Sequence, residues 1–304
     1  MNHSPIVVGV DESDAAPRAL TLAHELAAAF DAPCHLVHAV RSPWTSAPVP
    51  DATLAESFEA AMVDAARVRI QAALREQVTK EALRHIDVRL GRATVELNQA
   101  AEELDAQVIV IGGKRHSTFG RWFGSSTGHG LARLSERPVV VAGPSVSPVK
   151  RVLAAVDLSE TGKAVLGIAQ TYAAALHAEL RAITVIEPLP IAPGATQSVD
   201  PDEYYRWAET HVEQELWSHL RRAGADKVTR IGHPVETLLR ELTDWAADLV
   251  IVGSHGRNFV MRALLGSVSE ELLNQLPTSL LMVPPLRRAG DRVRAATPQL
   301  AGAL

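Results

Sequence analysis

The chain has 304 residues, of which 47% are apolar and only 4% aromatic, and its formal net charge is −5. This length predicts about two domains of ~150 residues each. Cores filled by alanine, valine and leucine suit helices packed on a buried parallel sheet. The negative charge argues against nucleic acid as a partner. The single cysteine, Cys34, excludes an internal disulfide and favours a reducing compartment.

The chain shows neither of the two hydrophobic segments that direct proteins to membranes. A strand pattern follows directly after the first residues, MNHSP, which leaves no room for a signal peptide. No apolar run approaches the ~18 residues of a membrane-spanning helix. We therefore expect a cytoplasmic protein with no membrane partner.

Strands and helices alternate along the first half of the chain. Short β-branched runs predict the strands, and apolar residues at helical spacing, such as Leu22, Leu26 and Phe30, predict the helices. Thr53 and Glu56 form a capping-box pattern at the start of the second helix. The predicted strands are 6–10, 34–40, 85–90, 107–111 and 138–142, and the predicted helices are 15–30, 53–78, 94–104 and 126–134.

The same pattern starts again after a linker, GPSVSP, at 143–148. Asp157 repeats Asp11 and Gly253 repeats Gly112, each just after the corresponding strand. The predicted strands are 152–156, 180–186, 227–231, 248–252 and 279–283, and the predicted helices are 163–176, 201–222, 235–245 and one after Ser267. We expect one domain over 1–146, a second over 147–286, and a flexible tail over 287–304.

This alternation predicts an α/β protein with two tandem doubly wound domains. Parallel strands joined by right-handed crossovers place helices on both faces of each sheet. Ligands of such folds bind beyond the carboxyl ends of the strands, where the strand order reverses. If the first and fourth strands flank that point, Asp157 and the loop at Gly253 face one crevice. Asp11 and the loop at Gly112 then face a second one.

The stretch 252–267, VGSHGRNFVMRALLGS, joins a strand to a helix through a glycine loop. Gly253, Gly256 and Gly266 let backbone N–H groups approach a ligand closely, and the following helix start favours an anion. This order is typical of a phosphate cradle. Neither GxxxxGK[ST] nor GxGxxG occurs in the chain. Glycines at this spacing also occur as plain turns, and that alternative stays open at this point.

The duplication, the aspartate after the first strand and the spacing G-x2-G-x9-G-[ST] together resemble the universal stress protein family. The likeness extends over residues 5 to 285, and the second half meets the spacing without deviation. It implies five-stranded parallel sheets in the order 3-2-1-4-5 and binding of ATP, with Mg²⁺ alongside the triphosphate. It also implies that domains associate through the last strand, within a tandem chain or between chains.

The resemblance assigns roles to matching positions of the second half. Asp157 would accept hydrogen bonds from the nucleoside, and Val185 would contact adenine, while the Ser267 hydroxyl would donate to a phosphate. The remaining candidates form the phosphate cradle and its loop: Gly253, Ser254, His255, Gly256, Arg257, Gly266 and Val268. Arg257 and the nearby Arg262 are also readily interpreted as solvated loop cations. His255 is a candidate phosphate contact, with an exposed bystander as the preferred interpretation.

The first half departs from this pattern. Arg115 stands in the place of Gly256, and the loop is one residue shorter. Asp11 is retained, and Ala39 takes the adenine-contact position. The other candidates here are Gly112, Gly113, Gly124, Ser125 and Ser126. The sequence leaves open whether this first site binds nucleotide.

Other motifs indicate no further chemistry. Residues 124–128 spell G-x-S-x-G, but a loop rather than a strand precedes them, so a helix start is the better interpretation than a nucleophile elbow. No HExxH or other paired metal-ligand spacing occurs. Asp157 and Asp11 also suit caps of the following helices. Tyr204, Trp207 and Trp217, on one predicted helix, indicate core or interface packing.

Two functions follow from these observations. The first is an ATP-binding, nucleotide-dependent stress-response regulator with at most slow hydrolysis, because no Walker-type lysine or obvious general base is present. The alternative is an interaction scaffold of the same fold that binds no nucleotide. An adenylyl-transferring enzyme is not supported, since neither HxGH nor SGGxDS occurs. The expected assembly is an internal pseudo-dimer that also forms a homodimer, with unknown protein partners.

Overall fold

The computed structural model of the chain describes residues 4–42, 51–113, 127–145, 148–189, 200–255 and 265–285. The strands are β1 (Ile6–Gly9), β2 (Cys34–Val40), β3 (Asp87–Leu90), β4 (Val108–Gly112), β5 (Val139–Ala142), β6 (Arg151–Ala155), β7 (Glu179–Ile186), β8 (Asp226–Ile231), β9 (Leu249–Gly253) and β10 (Ser279–Val283). The helices are α1 (Ala16–Phe30), α2 (Ala52–Leu74), α3 (Lys80–Arg84), α4 (Ala93–Glu103), α5 (Thr127–Leu134), α6 (Glu160–Ala175), α7 (Pro201–Glu215), α8 (Pro234–Asp244) and α9 (Ser267–Gln275).

The ten strands form one continuous sheet in the order β3-β2-β1-β4-β5-β10-β9-β6-β7-β8. Each half therefore has the predicted order 3-2-1-4-5, with all neighbours inside a half parallel. The halves join where β5 and β10 pair antiparallel, with Val140 opposite Leu281. The α/β class and the tandem arrangement are confirmed. The strand that was expected to associate domains does so within the chain.

The sheet is buried on both faces because its central strands are continuous apolar runs. Val108, Ile109 and Val110 of β4 are all inaccessible to solvent, as expected for a parallel strand covered on two sides. One core lies under α1, α2, α6 and α7, and the other under α4, α5, α8 and α9. Both cores include residues of the two halves. Phe30 of α1 and Tyr172 of α6 meet edge-on across the junction, with ring centroids 4.8 Å apart.

Three local features differ from the sequence expectations. The side chain of Asp51 caps α2 by accepting from the amides of Thr53 and Leu54, so the capping box at Thr53 and Glu56 was the wrong cap. Helix α3 lies where no helix was expected. Helix α7 ends at Glu215, before its expected end, and Trp217 belongs to a separate 3-10 turn, Trp217–His219.

Some expectations concern parts of the chain that are not described. The flexible tail over 287–304 lies outside the described residues, as do residues 146–147 of the linker and residues 256–264 of the glycine loop. Within the described helices, none is long and apolar enough to cross a membrane.

Candidate functional site

A cavity of about 1040 Å³ opens at the carboxyl ends of β6, β7 and β9 in the second half of the chain. Strand β6 lies between β9 and β7 in the sheet, although the chain connects β6 to β7 and reaches β9 later. The strand order reverses there, which is where ligands of doubly wound folds bind. We call this space the second-domain cavity. Its lining includes Asp157, Val185, Gly253 and His255.

Asp157 is half-buried and follows β6 at the mouth of this cavity. Its Oδ1 accepts hydrogen bonds from the Ser159 amide, at 3.1 Å, and from the Ser159 hydroxyl. Ser159, and not Asp157, caps α6, because its hydroxyl accepts from the Gly162 amide at 3.1 Å. A Cβ on Gly162 would lie 2.0 Å from the Asp157 carbonyl oxygen. This close turn fixes the carboxylate at the mouth of the cavity, and both hydrogen bonds from Ser159 go to the same oxygen, Oδ1.

Val185 lies near the end of β7, beyond the end of its neighbour β6. The paired residues of the two strands end with Ala155 opposite Ile183, and the Val156 amide then donates to the Ile183 carbonyl at 2.9 Å. Backbone groups of a parallel strand point alternately to its two neighbours. The backbone N–H and C=O of Val185 therefore point to the same side of β7 as those of Ile183. On that side β6 has already ended, so they face open space. This position suits hydrogen bonding to the edge of a planar ring.

The end of β9 is fixed to the start of α9. The Ser269 hydroxyl donates to the Gly253 carbonyl at 2.5 Å, and the Gly266 amide donates to the Ser254 carbonyl at 2.9 Å. Ser269 and Ser254 are each only 2% exposed. A Cβ on Gly253 would approach Thr161 Cγ2 to 2.9 Å, so a glycine suits this crowded position. These bonds hold the strand end and the helix start as one unit.

His255 is buried in this unit and is not an exposed bystander. Its side chain is 6% exposed, and its Nδ1 lies 2.8 Å from the Ser254 hydroxyl. The preferred sequence interpretation of His255 was therefore wrong. The backbone of Ser254, next to His255, is held on two sides, since its amide donates to the Val283 carbonyl at 2.8 Å and its carbonyl accepts from the Gly266 amide. An imidazole in this position lines the cavity beside the first turn of α9.

The first turn of α9 completes one side of the cavity. Gly266 is the N-cap residue and has no side chain to satisfy the first amides, and Ser267 and Val268 follow it along the lining. The N–H groups of a helix start and the helix dipole favour an anion at this place. The structure thus gathers Asp157, Val185, Gly253, His255, Gly266, Ser267 and Val268 around one space. Ser254 does not line the cavity but contacts two residues that do, His255 through its hydroxyl and Gly266 through its carbonyl. Gly256, Arg257 and Arg262 lie outside the described residues.

Among the lining residues outside the sequence candidates, three carry aromatic rings. Tyr204, Trp207 and His211 project from α7 into the second-domain cavity. Trp217 is buried, as expected for core packing, whereas Trp207 is 61% exposed and does not belong to the core. The spacing of these rings along one helix was visible in the sequence. What could not be read from it was that this face of α7 points to the end of β7.

The equivalent space in the first half, the first-domain cavity, has only about 360 Å³. Asp11, Ala39, Gly112 and Gly113 line it, as the repeat predicts. Asp11 makes the same turn as Asp157, with its Oδ1 accepting from the amide and the hydroxyl of Ser13. Arg115, Gly124, Ser125 and Ser126 lie outside the described residues.

Two leucines of the second half enter the first-domain cavity. Leu273 and Leu276, at the end of α9, are part of its lining and are 6% and 1% exposed. A Cβ on Gly113 would lie only 2.0 Å from Leu276 Cδ2. The described lining of the second-domain cavity contains no such leucine from α5, and Leu134 at the end of that helix is 62% exposed. The two cavities are therefore unequal in both volume and chemistry.

The donor set does not form a protein-held metal site. Within the described ranges, no group of three or more histidine, cysteine, aspartate or glutamate side chains could hold a metal ion. The carboxylates among the described lining residues of the second-domain cavity are Asp157 and Glu187. This set fits a hard cation only if a ligand's own oxygens supply most of the coordination.

Comparison with known proteins gives one consistent family. The chain matches the model of the family described as Usp, Universal stress protein family, over residues 3–143 and 148–284. A universal stress protein of Mycolicibacterium smegmatis is 27% identical, with 92% of this chain and 97% of that protein covered. Universal stress protein Rv2623 of Mycobacterium tuberculosis is 29% identical, covering 91% and 95%. A universal stress protein structure from Archaeoglobus fulgidus shares the fold, with TM-score 0.62, 18% identity and coverage of 93% and 99%.

Proposed function

The chain belongs to the universal stress protein family, and on that premise we propose that its second domain binds ATP. We further propose that the protein is a nucleotide-dependent regulator of the stress response. One observation carries the proposal: a fixed carboxylate, the backbone of Val185 beyond the end of β6, and an uncapped helix start line a single cavity. These are the three kinds of group that a sugar, a base and a phosphate chain require.

Each group has a distinct role in this proposal. Asp157 accepts a hydrogen bond from a ribose hydroxyl, because the Ser159 turn holds its carboxylate at the mouth of the cavity. Val185 offers backbone groups to the edge of adenine. The amides of Ser267 and Val268 receive the phosphates at the start of α9, where the helix dipole favours negative charge.

We propose one nucleotide per chain, bound in the second domain. The first-domain cavity has about a third of the volume of the other and is partly lined by Leu273 and Leu276. These leucines present apolar surface beside the glycines that would have to admit a phosphate chain. In the first domain, this position would then serve packing against the second half of the chain, whereas the equivalent position of the second domain would bind the ligand.

Hydrolysis is expected to be slow at most. The described lining of the second-domain cavity contains no lysine to position a phosphate, and its two carboxylates, Asp157 and Glu187, do not form a metal site by themselves. Mg²⁺ would enter with the triphosphate and be held mainly by its oxygens. The protein would therefore respond to the bound nucleotide more than it would consume it.

The nucleotide can be identified directly from the purified protein. We expect adenine nucleotide to be released when freshly purified protein, or protein incubated with Mg-ATP and desalted, is denatured and analysed by chromatography. Absence of nucleotide from both samples, together with no binding of Mg-ATP at equilibrium, would leave the interaction scaffold as the remaining function.

The assembly and the compartment are part of the same proposal. Because β5 and β10 already pair with each other inside the chain, a homodimer has to form through another surface. Sedimentation velocity tests the homodimer, and a monomer mass at micromolar concentration would exclude it. The cytoplasm is the proposed compartment, since the single Cys34 needs no oxidising environment.

A further inference from the structure

Helix α7 carries an aromatic face that none of the roles above uses. Tyr204, Trp207 and His211 lie on one side of this helix and all line the second-domain cavity. The Trp207 and His211 rings are stacked, with centroids 5.3 Å apart and planes at 10°. Tyr204 adds a third ring, 6.4 Å from Trp207. We call these three residues the α7 aromatic face.

The position of this face follows from the connection between β7 and α7. Helix α7 begins after the chain leaves the carboxyl end of β7 and runs back across the sheet, so its first turns stand at the same edge as Val185. Ala208 and Val212 anchor the helix, because they are 7% and 2% exposed. Trp207 and His211 each directly precede one of these anchors, and the anchors themselves also line the second-domain cavity.

An exposed tryptophan beside a cavity needs a physical reason. Trp207 leaves 61% of its surface accessible, although large aromatic side chains gain most by burial. The His211 ring stacks on the indole, and this contact favours one orientation of the Trp207 side chain. Preorganised aromatic surfaces bind planar rings well because every base has a π-face and little freedom is lost on contact.

We propose that the base of the bound nucleotide stacks on the α7 aromatic face, with Trp207 as the main contact. This inference rests on the proposed nucleotide binding and adds a residue that sets the preference for large planar bases. Val185 contacts the edge of the base and Trp207 its face. The two contacts together favour a purine over a pyrimidine, since a purine offers more area for stacking.

The first domain supplies a matched control for this residue. Phe58 stands at the same place in α2, counted from the aspartate cap, as Trp207 does in α7, and it is 51% exposed. Phe58 is not part of the described lining of the first-domain cavity. Phe58→Ala therefore removes an exposed aromatic of similar setting without touching the proposed base contact.

Calorimetric titration of the full chain with Mg-ATP tests the proposal. We expect Trp207→Ala to weaken binding by about 5- to 160-fold, the usual cost of losing a base–aromatic stack. Trp207→Phe should stay within about threefold of the wild type because it keeps a ring. Phe58→Ala should bind like the wild type. Circular dichroism should show an unchanged fold for all three, as both positions are exposed.

Titrations with inorganic tripolyphosphate and Mg-CTP separate the contribution of base stacking from that of phosphate binding. Tripolyphosphate has no base, so its affinity should be equal in the wild type and Trp207→Ala, and the preference for ATP over CTP should shrink in that variant. If Trp207→Ala binds ATP as tightly as the wild type, the stacking inference is wrong while nucleotide binding stands. If the wild type itself binds no ATP, both proposals fail.

Discussion

Asp157 and Asp11 make the same turn at the ends of equivalent strands, yet they face cavities of very different size. Both carboxylates accept the amide of a serine two residues later, Ser159 or Ser13, at 3.1 Å. Only Asp157 lies beside the larger cavity with the uncapped helix start. The difference between these two residues lies in their surroundings and not in their local geometry.

Asp157→Asn should weaken ATP binding without disturbing the fold. The asparagine keeps a carbonyl oxygen for the Ser159 amide but loses the charged acceptor for a ribose hydroxyl. A hydrogen bond to a charged group is worth about 1.5–3 kcal/mol, so we expect the dissociation constant measured by calorimetry to rise at least about tenfold. Asp11→Asn is the control and should bind like the wild type. Equal losses in the two variants would contradict the assignment of the site to the second domain.

Residues at strand ends could be predicted from the sequence, whereas loop and helix-face residues could not. Asp157, Val185 and Gly253 follow or end apolar runs, and the sheet topology alone brings them together. The burial of His255 depends on how the backbone turns after Gly253, and no local pattern encodes that turn. The exposure of Trp207 depends on which face of α7 meets the sheet, which is decided by Ala208 and Val212 packing below it.

Helix α9 connects the two cavities. Its first turn, from Ser267, lines the second-domain cavity, while Leu273 and Leu276 at its other end line the first-domain cavity. Leu276 adopts a left-handed conformation, with φ 40°, and packs against Gly113. The end of this helix therefore depends on a glycine in the other half of the chain.

Gly113→Ala should destabilise the protein. The added methyl group would lie 2.0 Å from Leu276 Cδ2 and 2.8 Å from the Ala142 carbonyl oxygen. Overpacking of this kind costs about 1–3 kcal/mol, which we expect as a lower midpoint in urea unfolding. Gly167→Ala serves as the control in α6, since nothing lies within 4 Å of its new methyl group. That variant should gain about 0.5–1 kcal/mol from helix propensity. An unchanged midpoint for Gly113→Ala would show that the two halves do not pack closely at this glycine.

The order of the elements was predictable because the chain writes the same unit twice. Continuous β-branched runs predicted the strands, and each strand predicted in one half had a counterpart at the equivalent position of the other half. The short helix α3 and the early end of α7 were missed for a common reason. Both lie in the connection between the second and third strands, where the two halves differ in length and the repeat gives no guidance. Leu216 is the C-cap residue of α7, with φ −116° and ψ −57°, and no glycine or proline marks this end of the helix.

At the scale of the whole molecule, the two domains form one sheet and share their cores. Phe30 and Tyr172 pack across the junction, and burial raises the pKa of the Tyr172 hydroxyl. Glu25 of α1 reaches the start of the second half, where its Oε1 accepts from the Val149 amide at 2.7 Å. The junction therefore contains an ionisable group that is partly withdrawn from water.

Glu25→Gln should change how stability depends on pH. Burial raises the pKa of Glu25, the hydrogen bond from Val149 lowers it, and the nearby Asp248 charge raises it, with a net increase. The protonated side chain is thus favoured in the folded state. Its stabilising contribution is complete below the unfolded pKa of about 4.3 and is lost as the pH rises through the folded value. Glutamine keeps the acceptor and carries no charge.

We therefore expect the stability of Glu25→Gln relative to the wild type to be higher at pH 8 than at pH 4. This difference in relative stability should be less than about 1 kcal/mol, because the group is partly solvated. Thermal unfolding at a series of pH values measures this difference. Glu209→Gln, at an exposed position of α7, is the control and should show no such trend. A stability advantage of Glu25→Gln that grows towards acid pH would contradict a raised pKa for Glu25 in the folded protein.

Because the two cavities are unequal, the number of nucleotides bound per chain is the most direct test of a single nucleotide site in the second domain. Calorimetric titration of the wild-type protein with Mg-ATP should give one site per chain, and Asp157→Asn should weaken that site while Asp11→Asn leaves it unchanged. Two equivalent sites per chain, or one site that responds to Asp11→Asn and not to Asp157→Asn, would contradict it.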